Sequence, residues 1–223
     1  MTTTTPPRAL VLTGRDRYGD PWHDHAATSH RIAGELTAAG FDADVRSTFP
    51  EALDGLAVAD LLVVNAGQGP ADEDDAAWRP FHERVRDHAA AGGPVLALHQ
   101  ATMAFADSPW WVDVVGGRWV HGTSWHPPLA LATFDVQPGH PVTDGLGALV
   151  ADDERYTDLV VDAGVRVLVS HDEAATTHPV VWVTAAGNVV YDGLGHGVAS
   201  YGSASRSALL RREARWLVGL PMT

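Results

Sequence analysis

Three short apolar runs, each followed at once by small, polar or histidine residues, restrict this chain more than any other feature. They are RALVLT over 8–13, ADLLVVN over 59–65 and PVLAL over 94–98, the last entered through Gly92-Gly93. Runs this short and this uniformly apolar suit strands covered on both faces, the setting of a parallel sheet. Phe41 to Arg46 reads as a further strand. Between them lie helical patterns: Thr28 to Ala39, with Ile32, Leu36 and Ala39 along one side and Gly40 as a stop, and an amphipathic segment ending near Ala91. A short helix is expected from Gln100 to Ala106. The order β-α-β-loop-β-α-β-α predicts an α/β chain with a parallel, doubly wound sheet. The acidic run Asp72-Glu73-Asp74-Asp75 could bind a cation, but acids opening a helix offset its dipole, and that reading is preferred.

After Asp107 the texture changes. Strands are expected over 129–136 and 165–170, and Val180–Thr184 with Asn188–Asp192 reads as a hairpin across Ala185-Ala186-Gly187. Residues 150–156 read as an acidic loop, and His171 and His178 as the borders of a polar loop. A terminal helix over 203–218 carries Arg206, Arg211, Arg212 and Arg215, read as a solvated face. Without repeats or linkers, one domain over 8–223 is expected behind a disordered lead-in, 1–7.

Residue usage removes whole classes of chemistry. The 223 residues include neither cysteine nor lysine, so thiolate ligands, disulfides, cysteine nucleophiles and lysine Schiff bases are excluded. A net charge of −13 argues against nucleic acid or anionic membrane as partner. No apolar run approaches the ~20 residues that cross a bilayer, and the first residues lack a signal-peptide pattern, so a cytoplasmic protein is expected. Twelve histidines, with carboxylates, remain as the acid–base and metal-binding vocabulary.

His99, leaving the strand at 94–98, sits at the carboxyl edge of the sheet, where open α/β folds place their ligands. His126 in a Gly/Pro-rich loop, Glu154 in the acidic segment and His196 after the hairpin could return to that edge, with His25 as a weaker fifth member. Together they could hold a divalent metal such as zinc, or transfer protons without one. His121 rivals His126 for one place and Asp153 rivals Glu154 for another; a salt bridge from Glu154 to Arg118 is the plainer alternative. Trp110, Trp111, Trp119 and Trp125 could stack on a sugar, although core packing is the commoner use of tryptophan. Gly67-Gln68-Gly69 could bind an anion through its amides or could simply make a tight turn. No pattern calls for a nucleotide cofactor.

These residues also carry a resemblance. Leu98-His99-Gln100-Ala101, Gly116-Gly117 with His126-Pro127, His140-Pro141-Val142-Thr143, Asp153-Glu154-Arg155-Tyr156, Val181-Trp182 and Val190-Tyr191-Asp192-Gly193-Leu194-Gly195-His196 occur in an order similar to the trehalose-utilisation (ThuA-like) family. The resemblance implies a flavodoxin-like, class I glutamine amidotransferase-like three-layer sandwich, its mainly parallel sheet extended by antiparallel C-terminal strands. It also implies a role in carbohydrate use. In amidotransferases a cysteine nucleophile stands where His99 stands here, and the catalytic histidine resembles His196 in position. Without a thiolate, glutamine hydrolysis by a cysteine–histidine pair is excluded. Gln100 departs from the commoner family pattern, which has serine after the histidine.

The resulting expectation is an enzyme acting on a sugar or keto-disaccharide. His99, Glu154 and His196 are its expected catalytic groups, with Trp125, Gln100 and Tyr156 against substrate. His99, His126, His196, Glu154 and, more weakly, His25 are the expected metal ligands. The alternative is a sugar- or partner-binding protein that has lost its nucleophile. A homo-oligomer is compatible with either.

Overall fold

The parallel strands come first along the chain and the antiparallel ones later. In the computed structural model, which describes residues 5–72 and 75–222, the first half holds β1 (Arg8–Thr13), α1 (His25–Ala38), β2 (Asp42–Ser47), β3 (Leu61–Asn65), α2 (Arg79–Ala90), β4 (Val95–Leu98) and α3 (Trp111–Val115). The second half holds β5 (Gly117–Arg118), β6 (Ala130–Val136), β7 (Leu149–Asp153), β8 (Val160–Val161), β9 (Arg166–Glu173), β10 (Thr176–Val183), β11 (Val189–Asp192) and α4 (Ala204–Leu217). One sheet runs β2-β1-β3-β4-β11-β10-β9-β6-β7, and β5 pairs with β8 in a small separate ladder. From β2 to β11 the pairings are parallel; from β11 to β7 they are antiparallel.

Helices cover both faces of the parallel half. Ala9 and Val11 pack toward Ile32 and Leu36 of α1 and Leu209 and Leu210 of α4. Leu10 and Leu12 pack on the other face, in the cluster that holds Phe81 of α2 and Trp111 of α3. Such double coverage is why these strands are apolar at nearly every position. The chain is a mixed α/β sandwich of three layers, and the loops after β1, β3, β4 and β11 gather at one edge.

Several local expectations need correction. α1 starts at His25 rather than Thr28, because the Asp24 carboxylate caps it by accepting from Ala27 N–H. α2 starts only at Arg79, where Pro80 suits a first turn and no acid is present. Glu73 and Asp74 lie outside the described residues; Asp75 stands upstream of the helix, 2.9 Å from Arg17. The helix expected over 100–106 shrinks to a 3-10 turn, His99–Thr102, since Phe105 adopts a positive φ of 57° that interrupts a right-handed helix. The acidic stretch at 150–156 begins inside a strand, β7, whose Leu149, Ala151 and Asp153 face inward. The buried carboxylate hid that alternation.

Two further corrections concern charged and polar side chains. His171 and His178 are not loop borders: they face each other across β9 and β10, both buried. The arginines of α4 are not a solvated face either. Arg206 is fully buried beside Asp192, while Arg212 and Arg215 donate to loop carbonyls. Of the expected lead-in, residues 1–4 lie outside the described residues, and Pro7 is already tied to the fold through Asp42 N–H. Among the described residues no helix is long and apolar enough to cross a membrane.

Candidate functional site

The sharp exit from β4 sets the geometry. His99 follows Leu98 with φ of 48°, a left-handed conformation that side chains other than glycine rarely adopt. This bend turns the buried His99 ring across the ends of β4 and β11. Its Nδ1 lies 2.8 Å from the carbonyl oxygen of Gly193, which can only accept, so Nδ1 carries the proton. In the neutral ring the Nε2 lone pair therefore faces the site.

His23 meets it from the loop after β1. Its Nδ1 donates to the Asp20 carboxylate at 2.8 Å, and its Nε2 stands 3.2 Å from His99 Nε2. Burial, with His99 adding to it, pushes the His23 imidazole down to about 4, so it is neutral near pH 7. The Nε2 atoms of the two rings thus face one another, that of His23 without a proton near pH 7. The Tyr156 hydroxyl, 3.0 Å from His99 Nε2, is a donor beside the pair.

Glu154 and His196 complete the cluster. Glu154 Oε2 is 3.5 Å from His99 Nε2, and Glu154 Oε1 is 3.3 Å from His196 Nδ1. Burial alone would raise the Glu154 carboxyl, but the imidazoles of His196 and His99 outweigh it and hold it well below the usual carboxylate range. His196 is correspondingly raised, chiefly by Glu154. Its buried Nδ1 is nevertheless not aligned for a hydrogen bond with any protein group described. Ligating atoms of His23, His99, Glu154 and His196 all lie within 4.8 Å of one another. A tetrahedral zinc with bonds near 2.0–2.1 Å has ligand–ligand edges of about 3.3–3.4 Å. Three contacts, of 3.2, 3.3 and 3.5 Å, lie near that length, the last two through different oxygens of Glu154. The residues present therefore fit a single divalent ion.

Asp153 holds two members of this cluster in place. Its buried carboxylate accepts the main-chain N–H groups of Glu154, Gly195 and His196 and the Ser200 hydroxyl. Four donors fill its acceptor positions, so it is a brace rather than a rival to Glu154. Asparagine here sets an NH2 against some of those donors. Asp153→Asn is expected to cost about 2 kcal/mol, lowering the melting temperature by roughly 4–8 °C in a thermal melt.

The remaining expected residues fall around this centre. His25 lies behind His23, stacked on it at 5.5 Å and 3.7 Å from Asp20, and does not join the four. His126 Nε2 reaches Glu154 Oε1 at 3.6 Å from the cavity lip, whereas His121 turns to Gln68 at 3.0 Å. Glu154 makes its ion contacts with these imidazoles and not with Arg118. A cavity of about 500 Å3 opens over the cluster. Gln100 and Tyr156 line it as expected, but Trp125 does not: its indole N–H bonds Asp158 on the surface. The tryptophans that do line it are Trp22 and Trp119, while Trp111 belongs to the core. The amide of Gly67 is taken by the Tyr18 carbonyl, and a Cβ there would meet Gln100 Oε1 at 2.6 Å, so close packing accounts for that glycine.

His23 and its partner Asp20 were absent from the residues expected at the site. The available signal was the pair His23-Asp24-His25 after the first strand. Which histidine faces the edge depends on where α1 begins, and the Asp24 cap decides it.

Comparison with known proteins agrees with this architecture. A ThuA-like protein from Parabacteroides merdae superposes with a TM-score of 0.81 at 19% identity, covering 98% of this chain and 92% of the other. A second, from Bacteroides uniformis, gives 0.76 at 18% identity, covering 97% and 94%. A glutamine amidotransferase from Thermotoga maritima gives 0.59 at 10% identity, covering 96% and 99%. At such identities the likeness is one of fold, here class I glutamine amidotransferase-like. No curated protein matches the chain. The sequence profile of the ThuA family, described as trehalose utilisation, matches residues 8–217, and the chain belongs to that family.

Proposed function

We propose that this protein is a cytoplasmic enzyme acting on a neutral sugar derivative, a keto-disaccharide in the leading case, at a divalent-ion site formed by His23, His99, Glu154 and His196. The observation that carries the reading is the convergence of three imidazoles and the Glu154 carboxylate, with the His23 and His99 Nε2 atoms 3.2 Å apart, beneath an open cavity. When bound, the ion would supply Lewis-acid polarisation of a carbonyl or an acidified water.

The chain's own groups divide the remaining work. Asp20 fixes the His23 tautomer and Gly193 fixes that of His99, as outer partners of histidine ligands do. His126 Nδ1 is engaged by Pro127 O, which leaves Nε2 at the lip to take or give a proton at a substrate oxygen. Trp119, packed on Tyr156 at 4.7 Å, and the exposed Trp22 offer indole faces to the apolar side of a sugar ring. Among the described residues no arginine lines the cavity, so the chain offers no guanidinium fork to a phosphate there.

The test is a turnover screen of keto-sugars with metal-replete protein, run beside elemental analysis. Expected are about one equivalent of divalent ion, product from a neutral keto-glycoside, and at least tenfold slower turnover of a phosphorylated one. Tight sugar binding without product would instead favour a binding protein. Absence of both metal and turnover would remove the proposal.

A further inference from the structure

A second charged cavity lies well away from this centre. α1 begins beside the site and runs for fourteen residues, about 20 Å, to its carboxyl end. There Ala38 and Ala39, the loop over 145–148 and one face of α4 enclose a groove of about 440 Å3. Its floor is small residues such as Gly145, Ala204 and Ala208. Its rim is Arg211, Arg212 and Arg215, and among the described residues no carboxylate side chain lines it. In a chain of net charge −13 such a patch stands against the background.

The guanidinium groups are fixed but incompletely neutralised. Arg212 donates to the carbonyls of Val142, Pro141 and Asp144, and Arg215 to those of Ala39 and Pro221. Carbonyl oxygens orient a guanidinium without cancelling its charge. Among the described residues only Arg211 of the three has a carboxylate partner, Glu35, at 2.9 Å. These bonds leave Nη1 of Arg212 and Nη2 of Arg215 without a hydrogen-bond partner among the described residues. Side chains already held lose little freedom when a ligand arrives. Each of these free nitrogens is a charged donor, which suits a phosphate oxygen better than any neutral group does.

We propose that this groove binds a small molecule through its phosphate group, with the phosphate at the arginine end and any organic part along the small-residue floor. The volume falls in the range of small-ligand pockets, so a phosphate ester fits as well as the free anion. The inference is independent of the reading given for the histidine site.

Calorimetric titration with inorganic phosphate and with glucose 1-phosphate tests it. Wild-type protein is expected to bind at least one of them with a dissociation constant below about 1 mM. Tighter binding of the ester assigns the groove to esters; equal binding assigns it to the free anion. Ala208→Glu places a carboxylate on the floor, one helical turn before Arg211 and Arg212, while touching none of the arginine–carbonyl bonds. This variant is expected to keep the wild-type melting temperature and to weaken binding at least tenfold. Arg211→Ala, which removes one of the contacts of the buried Glu35 and leaves Arg31 on it, is expected to weaken it about threefold to tenfold. No saturable binding of either probe to the wild type, or equal binding by Ala208→Glu, would overturn the proposal.

Discussion

Alanine in place of Glu154 is expected to abolish tight binding of a divalent ion, and alanine in place of His23 to do the same. Losing an outer partner of a metal ligand costs about 10- to 100-fold in affinity, so losing a ligand should cost on the order of 1000-fold or more. Glu154 has the largest expected effect because it is the one anion of the four and touches two of the others, at 3.5 Å from His99 and 3.3 Å from His196. Without it, three imidazoles face one another with no charge to offset the ion. His23 comes next, through geometry, since its Nε2 forms the shortest contact in the cluster. Asp20→Asn keeps the ligand and weakens its orientation, so the outer-partner range of about 10- to 100-fold applies. His121→Ala and His126→Ala are expected to leave affinity unchanged, because neither nitrogen belongs to the four that converge. Chelator competition on the purified variants gives each value. Retained affinity in His23→Ala beside a collapse in His126→Ala would replace the ligand set described here with the one read from motif order.

That comparison shows where the chain is legible and where it is not. The parallel strands were readable because burial on both faces leaves an unbroken apolar run, which RALVLT and PVLAL display. His99, Glu154 and His196 were readable because each lies just past a strand end, and strand ends share one edge. Selection between close neighbours was not readable. His23 against His25 turns on the helix cap at Asp24 between them, and Trp119 against Trp125 on which loop residue bends inward at the end of β5. β7 was hidden because Asp153, a buried acid with four donors around it, looks like loop chemistry in a one-dimensional pattern. The arginines of α4 were misread for a related reason: charge suggests solvent until its partners, carbonyls and Asp192, are brought in from distant segments.

Arg206→Met is expected to be the most destabilising of the single changes considered. Arg206 and Asp192 are both without solvent exposure, with Nη1 2.8 Å from Asp192 Oδ2. Arg206 also donates to Leu194 O, and its guanidinium lies 4.9 Å from the Tyr201 ring centre. Methionine fills much of the volume but strands the Asp192 charge in the core. Breaking a buried pair from one side costs about 3–5 kcal/mol, or roughly 6–20 °C in melting temperature for a chain of this size. A melt within 2 °C of wild type would contradict it. Glu213, the third buried ionisable group here, behaves differently. Burial, reinforced by Asp192, raises its carboxyl well above the ordinary 4.5, so the folded protein holds this proton to higher pH than the unfolded chain does. The unfolded chain releases that proton above pH 4.5 while the folded one keeps it. The contribution of Glu213 to stability is therefore complete below that pH and declines as pH rises toward the folded value. Glu213→Gln keeps the shape of the side chain and cannot ionise. Urea titrations from pH 4 to pH 8 should show the variant matching wild type at the acid end and exceeding it at neutral pH. A difference that stays constant across the range would mean that Glu213 is ionised in the core and that Arg206 faces two negative charges rather than one.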